Sequence, residues 1–316
     1  MNEFSLIERY FADTGSSKYP AILSQGDDAA VVEVPDGMQA VMSMDTLISG
    51  VHFPAQTNAV NIASKALAVN LSDLAAMAAT PAWFLLSLSI PDFDETWLQD
   101  FSDSLKSSAE RYRIELIGGD TCRGPLSVTV QVTGLVEIGR QVTRDGARPG
   151  DKIMVSGSLG KASLGLAQLQ QQIKLPEMLR ASCQSALNRP IPRLELVDFL
   201  SRHASAAIDL SDGLVGDLGH ILRCSRVGAR IRQAQLPVCD WIAENKAYQH
   251  ALSGGDDYEI CFTLPPKTWS AVPQWNLHNP DCPLTEMGEI TDSGYTLMDD
   301  GRAIDLNGWH GYRHFE

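Results

Sequence analysis

Lys65-Ala66-Leu67-Ala68-Val69-Asn70-Leu71-Ser72-Asp73-Leu74-Ala75-Ala76-Met77 is the centre of an alanine-rich segment, residues 58–79, that is apolar nearly all round. Alanine and leucine favour helix, and a helix with no polar face belongs inside a protein. Asn70 and Asp73 stand three residues apart on one side of it. A carboxylate buried there without a partner is strongly unfavourable, so Asp73 requires a cation or a site.

Working outward, Phe4, Leu6, Ile7, Tyr10 and Phe11 have helical spacing and predict an amphipathic helix over 3–12. Residues 29–34 and 39–45 read as strands around the turn Pro35-Asp36-Gly37. After the central helix come an apolar run ending at Ile90, an amphipathic helix over 95–112, a strand over 114–117 that stops at Gly118-Gly119-Asp120, and a β-branched strand over 127–136. Alternating strands and helices imply an α/β or α+β fold.

The polar stretch 139–151, with Arg140, Arg144, Arg148, Pro149 and Gly150, reads as a hinge. It divides the chain into an N-terminal domain, 1–138, and a C-terminal domain, 139–316. The second half predicts strands over 152–156, 204–209 and 258–264, and helices over 164–172, 177–187, 193–203 and after Asp212-Gly213. No internal repeat aligns the halves.

With 316 residues, 44% of them hydrophobic, the chain can fill two cores. A net charge of -14 and a pI near 4.9 argue against nucleic acid or an anionic membrane as partner, because no basic stripe exists to release counterions. The six cysteines form no C-x-x-C pair and read as reduced, mostly buried thiols. Charged residues fill the start of the chain, and the apolar run 74–90 is broken by Thr80-Pro81 and too short to span a bilayer. A soluble, cytoplasmic protein is expected.

Six acidic clusters punctuate the chain: Gly26-Asp27-Asp28, Ser43-Met44-Asp45-Thr46, Asn70-Leu71-Ser72-Asp73, Gly118-Gly119-Asp120, Asp209-Leu210-Ser211-Asp212-Gly213 and Gly254-Gly255-Asp256-Asp257. Any one of them is ordinary turn chemistry, and Asp212-Gly213 alone reads as a helix N-cap. Their recurrence after apolar strands suggests loops converging at one sheet edge on a polyphosphate held by divalent metal. Two carboxylates about 4 Å apart repel by roughly 4 kcal/mol at an effective dielectric of 20, so a gathering of them needs cations. A loose aspartate set suits magnesium better than a histidine or thiolate set would, which argues against zinc.

Gly157-Ser158-Leu159-Gly160-Lys161 is a faint echo of a phosphate loop with the wrong glycine spacing; the alternative is a strand-to-helix turn with Lys161 exposed. No Ser-His-Asp arrangement or activated cysteine is evident. None is needed if the acceptor is itself a phosphate, already anionic at neutral pH because its second pKa is near 6. Catalysis is then positioning and charge neutralisation.

The run Gly26-Asp27-Asp28-Ala29-Ala30, the stretch Ser43-Met44-Asp45-Thr46-Leu47 with His52, the helix 65–77, Leu116-Ile117-Gly118-Gly119-Asp120-Thr121, Ile208-Asp209-Leu210-Ser211-Asp212-Gly213-Leu214, Ser253-Gly254-Gly255-Asp256-Asp257-Tyr258-Glu259 and the ending Gly311-Tyr312-Arg313-His314-Phe315 together resemble the bacterial thiamine-monophosphate kinase family over essentially the whole chain. The resemblance implies a two-domain fold of the aminoimidazole-ribotide-synthetase type whose N-terminal domain forms a homodimer through its sheet. It implies transfer of the γ-phosphate of ATP to thiamine monophosphate, giving thiamine diphosphate, with several Mg²⁺ ions. The family's metal ligands match Asp28, Ser43, Met44 through its backbone, Asp45, Asp73, Asp120, Asp209 and Asp212. Its ATP contacts match Gly119, Asp120, Arg144 and Ser211, its substrate contacts match His52, Asp256 and Tyr312, and the chemistry rests on Asp45, Asp73, Asp120 and Arg144. Met44 replaces the family's usual threonine, and Asp256 replaces a common glutamate. Two rivals remain: another synthetase of the superfamily, acting on selenide, a purine precursor or a carbamoyl group, and a non-catalytic acidic metal- or nucleotide-binding module. Selenide chemistry would want a reactive Cys and Lys near the start, and none precedes Lys18.

Overall fold

The computed structural model describes residues 3–309 and 311. These form two compact units, one of Met1–Leu74 with Ala79–Gly139 and one of Ala75–Ala78 with Arg140–Glu316.

The first unit contains α1 (Glu3–Phe11), β1 (Met38–Ile48), α2 (Ala59–Ala76) up to Leu74, β2 (Thr80–Ile90), α3 (Glu95–Tyr112), β3 (Glu115–Arg123) and β4 (Ser127–Glu137). Its four strands are ordered β1-β4-β2-β3, antiparallel except for the β2–β3 pair. Along β4 the buried residues Val128, Val130 and Val132 alternate with half-buried ones, as a sheet covered on one face requires. The covering helix is α2, fully buried at Leu67, Leu71 and Leu74. Asp94 starts α3 by accepting the Trp97 N–H, and Arg113 in left-handed backbone ends it.

Two readings of this half are corrected. Residues 29–34 are not a strand: Val31 makes only an isolated bridge to Leu23, and Val31, Val32 and Val34 remain exposed. β-branched residues favour a pleated surface only where a neighbour and a core complete it. In turn, β3 does not stop at Gly118-Gly119-Asp120 but runs through it. A Cβ on Gly119 would lie 1.9 Å from the Leu86 carbonyl oxygen, so the glycine lets β3 press directly against β2 next to the bulge at Phe84/Leu85.

The second unit contains β5 (Lys152–Ser156), α4 (Lys161–Leu169), α5 (Glu177–Asn188), α6 (Val197–His203), β6 (Ala206–Asp209), α7 (Leu214–Ser225), β7 (Gly228–Arg232), α8 (Asp240–Glu244), α9 (Gln249–Leu252), β8 (Ile260–Leu264), α10 (Ala271–His278), β9 (Leu284–Thr291), β10 (Tyr295–Asp299) and β11 (Arg302–Asp305). Its seven strands are ordered β11-β10-β7-β9-β5-β8-β6. On β5, Ile153 and Val155 belong to the core under α7, with Leu214, Leu218 and Ile221. Met154 between them belongs to the core under α6 and α10, with Phe199, Leu200 and Val272. Period-2 alternation thus lets one strand serve two hydrophobic layers.

The cysteines are free, but only Cys183, Cys261 and Cys282 are buried, with Cys239 intermediate and Cys122 and Cys224 exposed. The reading of mostly buried thiols therefore holds for half of them. Burial pushes the Cys183 thiol up to about 11. No helix among the described residues is long and apolar enough to cross a membrane.

Candidate active site

In the first unit, β1 carries Ser43 and Asp45 two residues apart and so on one face, and α2 presents Asn70 and Asp73 to them. The Ser43 hydroxyl donates to Asp73 Oδ2 at 2.5 Å, and the Asp45 backbone N–H donates to Asn70 Oδ1 at 2.8 Å. Asn70, fully buried, is oriented by donating its own amide to the Ala66 carbonyl. Ser43, Asp45, Asn70 and Asp73 are thereby one constellation. Met44 turns its side chain outward, 62% exposed.

The register separates this group from Asp120. Asp45 pairs with Val130, Val130 with Leu86, and Leu86 with Gly119, so the two ends of that row lie three strand spacings apart, about 14 Å. Val130 and Leu86 are buried, which assigns Asp45 to the face that α2 covers; Thr121 is buried beside Leu88, which turns the neighbouring Asp120 to the other face. Both aspartates sit inside strands rather than in loops after them, contrary to the expectation of convergence at a sheet edge. Magnesium holds its oxygens at about 2.1 Å, far less than this separation of the two backbone positions along the row. Among the described residues no three His, Cys, Asp or Glu side chains gather as a metal cage.

Asp28 lies in the exposed loop before β1, where its N–H donates to the Asp27 carboxylate. His52 closes the turn after β1: its Nδ1 accepts the Ile48 N–H at 3.0 Å, and the buried Lys65 ammonium donates to its carbonyl at 3.2 Å.

In the second unit, Asp209 is the last residue of β6 and is buried. The chain beyond it is stitched to the loop before β8, because Ser211 O accepts the Asp256 N–H at 2.9 Å and Leu210 O accepts the Tyr258 N–H at 2.8 Å. A Cβ on Gly311 would lie 2.2 Å from the Asp212 carbonyl oxygen, so the chain end passes directly over Asp212. Ser211, Asp212, Asp256 and Gly311 are thus brought together. Tyr312 lies outside the described residues.

Asp217, not foreseen from the sequence, organises this turn. Its carboxylate accepts the N–H groups of Asp212 and Gly213 at 3.0 and 3.1 Å and caps α7, whose N-cap Gly213 has no side chain to do so. Burial pushes Asp217 up to about 7, against the lowering effect of those two N–H groups and of the nearby Arg144 guanidinium. Arg144 also acts on His220, whose pKa burial, Arg223 and Arg144 together lower, and its carbonyl accepts from Ser225 at the end of α7. A cavity of about 650 Å³ opens along α7, lined by Asp212, Asp217, His220, Arg223 and Trp309 among others.

Residues 26–136 match the family described as AIR synthase related protein, N-terminal domain, and residues 148–299 match the corresponding C-terminal domain. The chain is 45% identical over 320 residues to the thiamine-monophosphate kinase of Escherichia coli K12, covering 99% of this chain and 98% of that protein. It belongs to the thiamine-monophosphate kinase family. Among solved structures, the thiamine-monophosphate kinase of Stenotrophomonas maltophilia K279a superposes with a TM-score of 0.85 at 42% identity, covering 96% of this chain and 98% of that one. The structure of AaThiL complexed with AMPPCP and TMP gives 0.78 at 32% identity, covering 92% and 91%.

The faint phosphate-loop echo at residues 157–161 is a strand-to-helix turn between β5 and α4. The Gly160 N–H at the start of α4 donates to both oxygens of Asp257, at 3.0 and 2.8 Å. An anion-binding helix terminus is already filled by the protein's own carboxylate, so this turn holds the fold and not the nucleotide. Lys161 is of intermediate burial, not fully exposed. The anchors Asp217, Asp257 and Glu259 lay in or beside motifs read for their ligands, and the only local signal for them was a carboxylate repeating at positions 257 and 259.

Proposed function

We propose that this chain transfers the γ-phosphate of ATP to thiamine monophosphate and releases thiamine diphosphate. The observation that carries this reading is likeness over nine-tenths of the chain to a structure holding both AMPPCP, a non-hydrolysable ATP analogue, and TMP.

The donor set fits magnesium. Ser43, Asp45, Asp73, Asp28, Asp120, Asp209 and Asp212 offer oxygen only, and an ion shared between one or two carboxylates and substrate phosphates needs no preassembled protein cage. Those side chains and the Met44 carbonyl would hold the ions, which when bound neutralise charge on the transferring phosphoryl group. The spacing of Asp45 from Asp120 supports more than one ion. Gly119 and Ser211 contact the nucleotide, Arg144 offsets phosphate charge, and His52, Asp256 and Tyr312 read the thiamine phosphate. The acceptor phosphate is its own nucleophile, so in-line attack needs no general base and no covalent enzyme intermediate. Asp256 and the aromatic Tyr312 suit a thiazolium cation.

Nucleotide and metal binding and dimerisation fall to the N-terminal domain, 1–138, and residues 139–316 form the C-terminal domain. A homodimer through the N-terminal sheet is supported by the sheet's outer face, where Met42, Met44 and Ile48 of β1 and Leu85 of β2 are exposed; clustered exposed apolar side chains mark association surfaces. Dependence on ATP supports a cytoplasmic location.

Incubation with Mg-ATP and either thiamine or thiamine monophosphate tests the assignment. Thiamine diphosphate is expected from the monophosphate alone; its formation from thiamine, or ATP consumption indifferent to both, would overturn it.

A further inference from the structure

The loop 254–259 holds two residues in left-handed backbone, Asp256 with φ 69° and Tyr258 with φ 50°. Such backbone is unfavourable for residues with a Cβ and persists only where the surroundings over-determine it. Here the surroundings are two buried carboxylates that alternate with them. Asp257 accepts the Gly160 N–H with both oxygens and the Ala162 N–H as well, and so caps α4, whose N-cap Gly160 lies 97 residues earlier in the sequence. Burial raises its pKa well above the usual carboxylate range against the opposing effect of those bonds. Glu259, 6% exposed, accepts from Ser156 Oγ at 2.5 Å, from Arg193 Nε at 2.6 Å and from a second Arg193 nitrogen. Ser156 Oγ in turn accepts the Ile260 N–H at 2.9 Å. Gly157 makes room for this: its φ is 57°, and a Cβ there would lie 2.0 Å from Glu259 Oε1. Between these anchors, the Tyr258 hydroxyl donates to Asp256 Oδ1 at 3.3 Å, and the Asp256 and Tyr258 N–H groups are tied to Ser211 and Leu210.

We propose that Asp257 and Glu259 are positioning residues for substrate recognition: fastened to α4 and to Arg193, they clamp Asp256 in its left-handed conformation and so aim its carboxylate at the thiamine phosphate. Neither touches the substrate, and the inference rests on the reading of Asp256 as a substrate contact.

Steady-state kinetics on Asp256→Ala, Asp257→Ala and the double variant test it, with thiamine monophosphate and ATP varied in turn. Each single change is expected to raise KM for thiamine monophosphate about tenfold, the usual effect of losing an outer partner of a site, with KM for ATP nearly unmoved. Because Asp257 acts through Asp256, the double variant should be no worse than Asp256→Ala alone. Asp257→Asn keeps the side-chain volume and one acceptor, preserves the fold if Asp257→Ala does not, and should raise the same KM about threefold. An Asp256 effect with no Asp257 effect, an additive double variant, or equal rises in both KM values overturns the clamp. An unmoved KM in Asp256→Ala instead overturns the substrate reading, and the clamp with it.

Discussion

The two units place their acidic residues by opposite means. In the first, Ser43, Asp45, Asn70 and Asp73 ride on the regular elements β1 and α2, whose own ladders fix them, and one hydroxyl and one amide complete the alignment. In the second, Ser211, Asp212 and Asp256 sit in loops, and further carboxylates are committed to holding those loops: Asp217 on Asp212 and Gly213, Asp257 on Gly160, Glu259 on Arg193. A functional side chain on a helix or strand inherits its geometry from the backbone, whereas one on a loop needs a second set of residues to define it. Carboxylates in the first unit should therefore be separable from stability, and the anchors in the second should not.

The largest expected effect tests the first half of that contrast. Asp45→Asn and Asp120→Asn should each lower kcat about a thousandfold while thermal unfolding stays near that of the parent. Near-normal turnover in both would break the assignment, and a large loss of melting temperature would break the contrast. In the second unit, Glu259→Gln removes the close carboxylate partner of the buried Arg193 guanidinium, both side chains being about nine-tenths enclosed, and leaves it only the longer contact to Glu195 at 3.5 Å. Urea denaturation should show a loss of about 3 kcal/mol.

A smaller effect is specific to pH. Asp217 has a pKa of about 7 in the folded chain against 3.8 for the free residue, so the fold holds this proton more tightly than the unfolded chain does. The stability contributed by protonated Asp217 is present below about pH 4 and is lost as pH rises through 7. Asp217→Asn, which keeps an acceptor for the two N–H groups, should gain stability relative to the parent between pH 4 and pH 8 in the metal-free protein; a flat difference would show that Asp217 ionises freely. The smallest effect belongs to the exposed Arg9–Glu95 pair of the first unit. Glu95→Gln should change stability by less than about 1 kcal/mol and disappear into the noise at high salt.

Much of the fold was legible locally. The helices over 95–112 and 58–79 and the strand over 152–156 emerged close to their observed bounds because their periodicity or β-branched content needed no distant partner. Residues 29–34 misled for the complementary reason: their valines had strand chemistry but no partner ladder. Asp45 and Asp120 stood out in the sequence only through their motifs, whereas their separation and opposite faces followed from strand order, which no local pattern encodes. Asp257 lies within an acidic motif, yet its commitment to the start of α4 depends on a partner 97 residues away.

By itself the sequence determined the α/β character and the family to which the acidic motifs belong, because helix periodicity, glycine turns and motif spacing are short-range properties of a chain. Tertiary structure alone decided which carboxylates remain available for ligands and which are consumed as internal anchors. That choice depends on which backbone N–H groups and guanidinium groups lie beside each carboxylate after folding, and those neighbours come from remote parts of the chain.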